Sequence, residues 1–211
     1  MTNRKAIHER VLNASDKEEL MVAYSEWAGR YDRDLLGEMG YVAPMIASKL
    51  LGDYLTGKGS RILDAGCGTG IVGECLRRGG YRNIEGLDYS QAMLEKARAK
   101  GIYTTLKRGD MTQPLGISDD TYDAAISVGT FTCGHVGPEA LDELIRVTKP
   151  GGYVCFTVRE QAWEKDHYRT RMRDIENDGI WELQELVNAD YIQQEGARCK
   201  VCLYGISVHD A

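Results

Sequence analysis

The chain has few of the features that mark a membrane protein or a nucleic-acid-binding protein. No apolar run approaches the roughly eighteen residues that a membrane-spanning helix needs. Residues 1–10 are polar and lack the apolar core of a signal peptide. Acidic residues outnumber basic ones by 32 to 26, which gives a net charge of −6, and there is no basic stripe. We therefore expect a cytoplasmic protein whose main partner is neither a membrane nor a nucleic acid.

Motifs that bind metals are scarce as well. Cys199 and Cys202 have the Cys-x-x-Cys spacing of a metal or redox pair, but no second pair of cysteines or histidines has ligand spacing. A separation of three residues also puts the two side chains on opposite faces of a strand. In the absence of a secretory signal, the six cysteines of the chain are expected to be mostly reduced. The sequence therefore predicts structural thiols and no metal site.

The 211 residues are enough for one α/β domain with its own core, and the chain contains no linker, internal repeat or low-complexity stretch. Strand-like runs alternate with helical patterns, which predicts a doubly wound, mostly parallel sheet. The predicted strands are 61–65, 84–88, 103–108, 123–128, 152–158, 186–193 and 200–208, and the predicted helices among them are 71–78, 91–100, 138–147 and 163–178. We predict a single domain over residues 1–211, with the sheet in residues 59–211.

The first 58 residues have a different pattern. Residues 1–16 are predicted to be a loosely packed arm. A helix is predicted over 17–36, with Asp16 as its N-cap and Gly37 as its end, because the apolar residues Leu20, Tyr24, Trp27 and Tyr31 recur at helical spacing. A second helix is predicted over 44–55. Because these helices precede the first strand, we expect residues 1–58 to cap the functional site.

A glycine-rich turn follows the first predicted strand. Residues 61–70 read Arg-Ile-Leu-Asp-Ala-Gly-Cys-Gly-Thr-Gly, and the second strand ends in Asp88. Strand, glycine turn, helix, strand and acid form the layout of a site for a nucleoside-bearing cofactor, although a purely structural turn is the alternative for this segment alone. A dinucleotide fingerprint requires glycine at position 71, which is Ile, and Asp64 would repel a pyrophosphate. A carboxylate there suits an ammonium group, which favours a cofactor with an amino-acid end, such as S-adenosylmethionine, over a nicotinamide dinucleotide.

Five segments, in this order, resemble the motifs of the class I S-adenosylmethionine-dependent methyltransferases. They are 64–70, 87–94, 109–111, 122–129 and 144–152. Within that superfamily, Tyr24, Trp27 and Tyr31 upstream, with residues 128–130 and the Lys-Pro-Gly-Gly turn at 149–152 downstream, resemble the methyltransferase-like proteins of the Williams–Beuren syndrome region. The resemblance implies a seven-stranded Rossmann-like sheet that ends in an antiparallel hairpin. It also implies S-adenosylmethionine as cofactor and S-adenosylhomocysteine as product.

The resemblance also implies roles for individual residues. Asp88 would bind the ribose hydroxyls, and Asp64 would reach the ammonium group directly or through water. Asp110 would accept a hydrogen bond from the adenine amino group. The other implied cofactor-binding residues are Gly66, Cys67, Gly68 and Gly70 at the amino-acid end and ribose, Tyr89, Met93 and Met111 at the adenine, Val128 at the methionyl part, and Tyr24 and Tyr31 above the cofactor. As an apolar stripe on a helix, Tyr24 and Tyr31 also fit a purely core role.

The chemistry of transfer makes few demands on the protein, because a sulfonium carries its methyl group already activated. A general base is needed only if the acceptor must lose a proton on attack. In the segment after the fourth strand, His135 is the candidate, and a histidine satisfied by its own loop is the alternative. In this superfamily, positions after the fifth strand often line the acceptor pocket, here Arg159, Glu160, Trp163 and His167, although an ordinary helix start also explains them.

Three functions remain at this point. The leading hypothesis is methyl transfer from S-adenosylmethionine to a small-molecule acceptor by in-line displacement, because the helical cap is too short for a macromolecule-recognition domain. The second is a cofactor-binding protein with a regulatory or interaction role and little or no transferase activity. The third, a nicotinamide-dependent oxidoreductase, is disfavoured by Ile71 and Asp64. The sequence predicts no acceptor identity and no oligomeric state.

Overall fold

The computed structural model describes residues 4–132 and 136–208 of the chain. The helices are α1 (Arg4–Leu12), α2 (Lys17–Trp27), a π-helix (Arg33–Met39), α3 (Ala43–Tyr54), α4 (Ile71–Arg78), α5 (Gln91–Ala99), α6 (Ala140–Val147), α7 (Glu160–Lys165), α8 (Tyr168–Asn177) and a 3₁₀ turn (Gln193–Glu195). The strands are β1 (Ile62–Ala65), β2 (Ile84–Asp88), β3 (Thr105–Arg108), β4 (Tyr122–Phe131), β5 (Thr148–Arg159), β6 (Trp181–Ile192) and β7 (Ala197–Ile206). Within these residues, no helix is long and apolar enough to cross a membrane.

A single sheet of seven strands organises the described residues, in the order β3-β2-β1-β4-β5-β7-β6. The first five strands pair in parallel, whereas β7 is antiparallel to both β5 and β6. The predicted doubly wound, mostly parallel sheet with a terminal hairpin is therefore confirmed. The strand order reverses between β1 and β4, and in open sheets of this kind the ligand site lies at that point, beyond the carboxyl ends of the strands.

The residues before the sheet are more ordered than the sequence predicted. Residues 4–12 form α1, so the prediction of a loosely packed arm over residues 1–16 is wrong for this part. Ile7 and Val11 lie one helical turn apart, and both are buried in the core. The sequence pattern did not predict this helix, because only Ile7 and Val11 form its buried apolar face. That face becomes a packing surface only through contact with the neighbouring helices.

The predicted helix over residues 17–36 is also interrupted. Asp16 does cap α2, since its side chain accepts a hydrogen bond from the Glu19 amide at 2.8 Å, but α2 ends at Trp27. The chain then turns and forms the π-helix, which ends at Gly40 rather than at the predicted Gly37. The indole of Trp27 donates to Asp34 Oδ2 at 3.0 Å in the interior, and this tertiary bond joins the two helices across the turn.

The helix predicted over residues 163–178 is two helices, α7 and α8, separated at His167, whose φ of 60° is left-handed. The break lets Trp163 and Tyr168 both be buried. In a continuous helix, positions five residues apart point about 140° away from each other, so both could not face the same core. Packing of two large aromatic rings thus decides the end of α7.

The sheet separates two apolar cores. One lies under α1 to α4 and the other under α6 to α8. Cys199 belongs to the first core and Cys202 to the second, which confirms that the Cys-x-x-Cys pair spans the two faces of a strand. The two thiols therefore serve as buried apolar groups and cannot bind one metal ion together.

The docking of α1 can be tested through Ile7, whose side chain is almost fully buried. Replacing it in Ile7→Ala removes three carbon atoms from the first core, so we expect the free energy of unfolding to fall by about 2–4 kcal/mol. Chemical denaturation measures this change. Val22→Ala, at a position that is 47% exposed on α2, is the control and should cost less than about 0.5 kcal/mol. Equal stabilities of the two variants would mean that α1 is not packed on the core.

Candidate functional site

The glycine-rich turn between β1 and α4 forms one wall of a cleft at the point where the strand order reverses. Gly66 and Gly68 have φ angles of 75° and 54°, which side chains rarely adopt. A Cβ atom on Gly66 would lie only 2.3 Å from Thr130 Oγ1 at the end of β4. The amides of Gly66 and Cys67 donate to the carbonyl of Leu87 on β2, at 2.7 and 2.9 Å. The turn therefore lies directly against both neighbouring strands.

Asp88, the last residue of β2, is held in place by the main chain around it. Its Oδ2 accepts a hydrogen bond from the Gly68 amide and its Oδ1 one from the Ser90 amide, both at 2.8 Å. A carboxylate oxygen has two lone pairs, so each oxygen keeps one for a further donor. Burial raises the pKa of Asp88, although these amides act in the opposite direction. The side chain lines the cleft and offers two acceptors in a fixed orientation.

The cleft is a cavity of about 290 Å³ that extends from the glycine turn to the start of α2. Its apolar walls include Leu87, Met93 and Met111, and its polar groups include Asp88 and Asp110. Of the residues predicted to bind the cofactor, the cavity is lined by Tyr24, Tyr31, Gly66, Gly68, Asp88, Tyr89, Met93, Asp110, Met111 and Val128. The structure therefore brings ten dispersed positions to one cavity, at the edge where the parallel strands end.

Asp64, Cys67 and Gly70 are not among the residues that line this cavity. Asp64 is completely buried behind the glycine turn, where its Oδ2 accepts a hydrogen bond from the Tyr103 hydroxyl at 2.6 Å. Its Oδ1 has no hydrogen-bond partner within residues 4–132 and 136–208. Burial raises the pKa of Asp64 to about 7, with Asp88 adding to this effect and the Tyr103 hydrogen bond opposing it. A carboxyl group in this setting gains or loses its charge near neutral pH.

Lys17 contributes a contact that sequence reasoning did not find. Its Nζ lies 2.5 Å from Asp110 Oδ2 and 3.2 Å from Thr112 Oγ1, so the first turn of α2 is tied to the loop after β3. Although burial acts to raise it, the hydrogen bonds from Lys17 and Thr112 lower the pKa of Asp110. A lysine next to an N-cap has no local signal for such a role, because its partner lies 93 residues away.

A smaller recess of about 30 Å³ adjoins the main cavity and shares Tyr24, Tyr31, Gly129 and Thr132 with it. Its walls are mainly aromatic. Its other lining residues include Trp27, Tyr41, Tyr191 and Arg159. The rings of Tyr41 and Tyr191 meet edge to face with centroids 5.0 Å apart. Gly129 has a φ of 81°, and a Cβ there would lie 2.5 Å from the Tyr41 hydroxyl, so this position also requires glycine.

The structure gives different results for the predicted base and for the four positions that follow the predicted fifth strand. His135, together with Cys133, lies outside the described residues, so its catalytic role remains a prediction. Arg159 lines the recess. Trp163 is buried in the second core, while Glu160 and His167 are exposed, and none of these three lines either cavity.

Known proteins resemble this chain in sequence and in fold. Residues 62–152 match a family model described as a methyltransferase domain. Methyltransferase-like protein 27 of Homo sapiens is 38% identical over 165 residues, which cover 75% of this chain and 66% of that protein. A malonyl-[acyl-carrier protein] O-methyltransferase of Pectobacterium atrosepticum is 32% identical over 159 residues, 71% of this chain and 60% of the relative. Other matching relatives include an 18S rRNA (guanine-N(7))-methyltransferase of Arabidopsis thaliana.

Among solved structures, a possible histamine N-methyltransferase of Thermotoga maritima, which is S-adenosylmethionine-dependent, superposes with a TM-score of 0.62 at 21% identity. The match covers 88% of this chain and 98% of that chain. The present chain spans about two thirds or less of the length of the curated relatives it matches. The match to Methyltransferase-like protein 27 agrees with the predicted resemblance to the proteins of the Williams–Beuren syndrome region. The sequence, the sheet order and these matches together show that the chain belongs to the class I S-adenosylmethionine-dependent methyltransferases, whose cofactor is S-adenosylmethionine.

Proposed function

We propose that this protein transfers the methyl group of S-adenosylmethionine to a small-molecule acceptor by in-line displacement. The observation that carries this proposal is a pair of neighbouring cavities with shared walls, one with the features of a nucleoside site and one small and partly aromatic. The two share Tyr24, Tyr31, Gly129 and Thr132, so a cofactor in the first and an acceptor in the second would meet. Both cavities lie at the edge of the sheet where open α/β sheets bind their ligands, beyond the carboxyl ends of the strands.

The residues of the main cavity fit the cofactor. Asp88 has a free lone pair on each oxygen, which suits the two ribose hydroxyls. Met93 and Met111 offer the apolar, polarisable surfaces that suit a purine ring. Asp110 would accept from the adenine amino group and share its Oδ2 with Lys17. Along the amino-acid end, Gly66, Gly68 and Val128 would provide close main-chain contact, because the glycines have no Cβ to keep the ligand away.

Asp64 would act on the ammonium group from behind the glycine turn. Its unpartnered Oδ1 is an unusual feature for a buried carboxyl group, since such atoms are normally hydrogen-bonded. A nearby cation, reached directly or through water, would satisfy this oxygen and stabilise its charge. This supports the interpretation of Asp64 as part of the cofactor site although it lines no part of the cavity.

The bound sulfonium supplies a methyl group that is already activated, so the protein's contribution is to hold the acceptor in line and to exclude water. Helix α2 and the turn after it cover the cavity with Leu20, Met21, Tyr24 and Tyr31. Burial raises the pKa of Tyr24 and of Tyr31, so both hydroxyls stay protonated near neutral pH. They would orient an acceptor as hydrogen-bond donors and would not act as bases. His135 remains the proposed base for acceptors that must lose a proton.

The dimensions of the recess favour a small acceptor. A volume of about 30 Å³ bounded by buried rings has room for one small group of an acceptor but not for a stacked nucleobase. The relatives' names include both an acyl-carrier-protein ester and an rRNA base as acceptor, so family membership alone does not decide between these classes. A net charge of −6 argues against an RNA backbone as partner.

The proposal is tested by cofactor binding and by methyl transfer, measured on the same preparation. We expect S-adenosylhomocysteine to bind in calorimetry, and labelled methyl groups to be transferred from S-adenosylmethionine to members of a small-molecule acceptor library. Tight binding of the cofactor without transfer to any acceptor would support the alternative of a regulatory protein and would overturn the proposal. Absence of cofactor binding would overturn both.

Asp88→Ala should weaken S-adenosylhomocysteine binding by about 2–3 kcal/mol, because it removes two charge-assisted hydrogen bonds. Calorimetry measures the change, and circular dichroism checks that the variant is folded. Asp53→Ala is the matched control, since Asp53 is exposed on α3 and pairs with Lys49 at 2.8 Å away from the cavity. Unchanged affinity in Asp88→Ala would mean that the ribose is held elsewhere. Asp88→Asn, which keeps the shape of the side chain, should show an intermediate loss.

The pKa of Asp64 predicts a pH dependence of cofactor affinity. Burial raises this pKa to about 7, so the carboxyl group is mostly neutral below it and mostly ionised above it. Because only the ionised form attracts an ammonium group, affinity for S-adenosylhomocysteine should rise by up to about tenfold between about pH 6 and about pH 8. Asp64→Asn cannot ionise and should lose this rise. The same pH profile in both proteins would exclude Asp64 as an ammonium partner.

A further inference from the structure

A cation without an acidic partner among the described residues forms part of the wall of the aromatic recess. Arg159 is the last residue of β5, is partly buried and lines the recess. Its guanidinium carbon lies 5.4 Å from the centre of the Tyr191 ring. Within residues 4–132 and 136–208, no carboxylate forms an ion pair with this guanidinium and no side chain hydrogen-bonds to it. Its donors are therefore available to a ligand, and stacking on Tyr191 fixes their direction.

Two acidic groups near the recess, Glu195 and Asp34, already have partners. Glu195 accepts from His8 Nδ1 at 3.1 Å. Asp34 is buried beneath Trp27, whose indole donates to it, and Arg30 lies 3.3 Å from its Oδ2. These carboxylates therefore do not neutralise Arg159. An arginine that is partly desolvated and unpaired is an unfavourable arrangement unless an anion completes it.

The remaining walls of the recess suit an anionic group. Tyr41 and Tyr191 line the recess, and burial raises the pKa of both, so their hydroxyls remain protonated and neutral. Neutral aromatic rings give the recess a low local dielectric constant. This strengthens the electrostatic attraction between Arg159 and an anion. The recess thus contains a guanidinium group and neutral tyrosine hydroxyls, with no carboxylate among its described lining residues.

The small size of the recess selects the kind of anion. A volume of about 30 Å³ between aromatic rings suits a flat group, and a carboxylate is planar and matches the guanidinium in a two-point pair. A phosphate is tetrahedral and larger. From the recess, the rest of the molecule would extend past Gly129 and Thr132 into the main cavity, which both residues also line.

We infer that the methyl acceptor carries a carboxylate and that Arg159 recognises it through a two-point ion pair in the recess. This inference rests on the proposed function and specifies its substrate class. Arg159 sets which molecules bind and how they are oriented toward the cofactor, whichever atom receives the methyl group. The structure thereby divides the acceptor into an anionic end in the recess and a reacting end in the main cavity.

Three nearly isosteric probes test this inference on the full chain with saturating S-adenosylhomocysteine. Benzoate, neutral benzamide and cationic benzamidinium differ in charge at one group, and ligand-observed NMR titration measures their affinities. We expect benzoate to bind at least about tenfold more tightly than benzamide, and benzamidinium to bind most weakly. Equal binding of benzoate and benzamide, or absence of benzoate binding, would overturn the inference. Tighter binding of phosphate than of benzoate would assign the recess to phosphorylated molecules instead.

Variants of Arg159 test whether this residue causes the preference for benzoate. Arg159→Gln should remove the preference for benzoate, and Arg159→Lys should keep part of it, because lysine retains the charge but not the planar fork. Arg173→Gln, at an exposed position on α8, is the matched control and should bind like the wild type. A benzoate preference that survives in Arg159→Gln would overturn the assignment to this residue.

Binding of S-adenosylhomocysteine distinguishes a failure of the proposed function from a failure of the inference about Arg159. All variants should bind it within about twofold of the wild type, which also shows that they are folded. If S-adenosylhomocysteine does not bind to the wild type, the proposed function fails. If it binds and the carboxylate preference is absent, only the inference about Arg159 fails.

Discussion

The close contact between the Gly66 turn and the end of β4 sets the geometry of the whole site. Because no Cβ fits between Gly66 and Thr130, the turn can lie directly against the neighbouring strand at the point where the sheet order reverses. Asp88 then accepts the Gly68 amide and connects the same turn to the end of β2. The cavity is thus framed by contacts between the main chain of the turn after β1 and the ends of β4 and β2. These contacts fix the positions of the groups that face a ligand.

The N-terminal helices cover the side of the cavity that the sheet leaves open. Helix α1 packs Ile7 and Val11 on the core, α2 covers the cavity, and Lys17 connects the start of α2 to Asp110. This ion pair is partly exposed, so its contribution to stability is small. Its role is to position α2, because it joins this helix to the loop that would contact the adenine. The same helices also bring Tyr24 and Tyr31 between the main cavity and the recess.

Charge is distributed unevenly across the site. Asp64 and Asp88 lie near the glycine turn, where burial raises the pKa of both. Arg159 lines the neighbouring recess. In the proposed reaction, the carboxylates would attract the cationic cofactor and Arg159 would attract the anionic acceptor. The described residues contain no cluster of three or more His, Cys, Asp or Glu side chains that could hold a metal ion.

The sequence by itself predicted a mostly parallel sheet and a set of residues at one edge of it, because strand and turn motifs are local and Gly66, Gly68 and Asp88 lie within or beside them. Ten of the predicted cofactor residues indeed line one cavity. Only the tertiary structure decided the packing of α1, the break at Trp27, the contact of Lys17 with Asp110 and the recess around Arg159. Each of these depends on partners far apart in the chain, such as the 93 residues between Lys17 and Asp110, and no local pattern encodes such a distance. The two aspects meet at Arg159. The sequence singled it out because it follows the predicted fifth strand, and no carboxylate within residues 4–132 and 136–208 forms an ion pair with it.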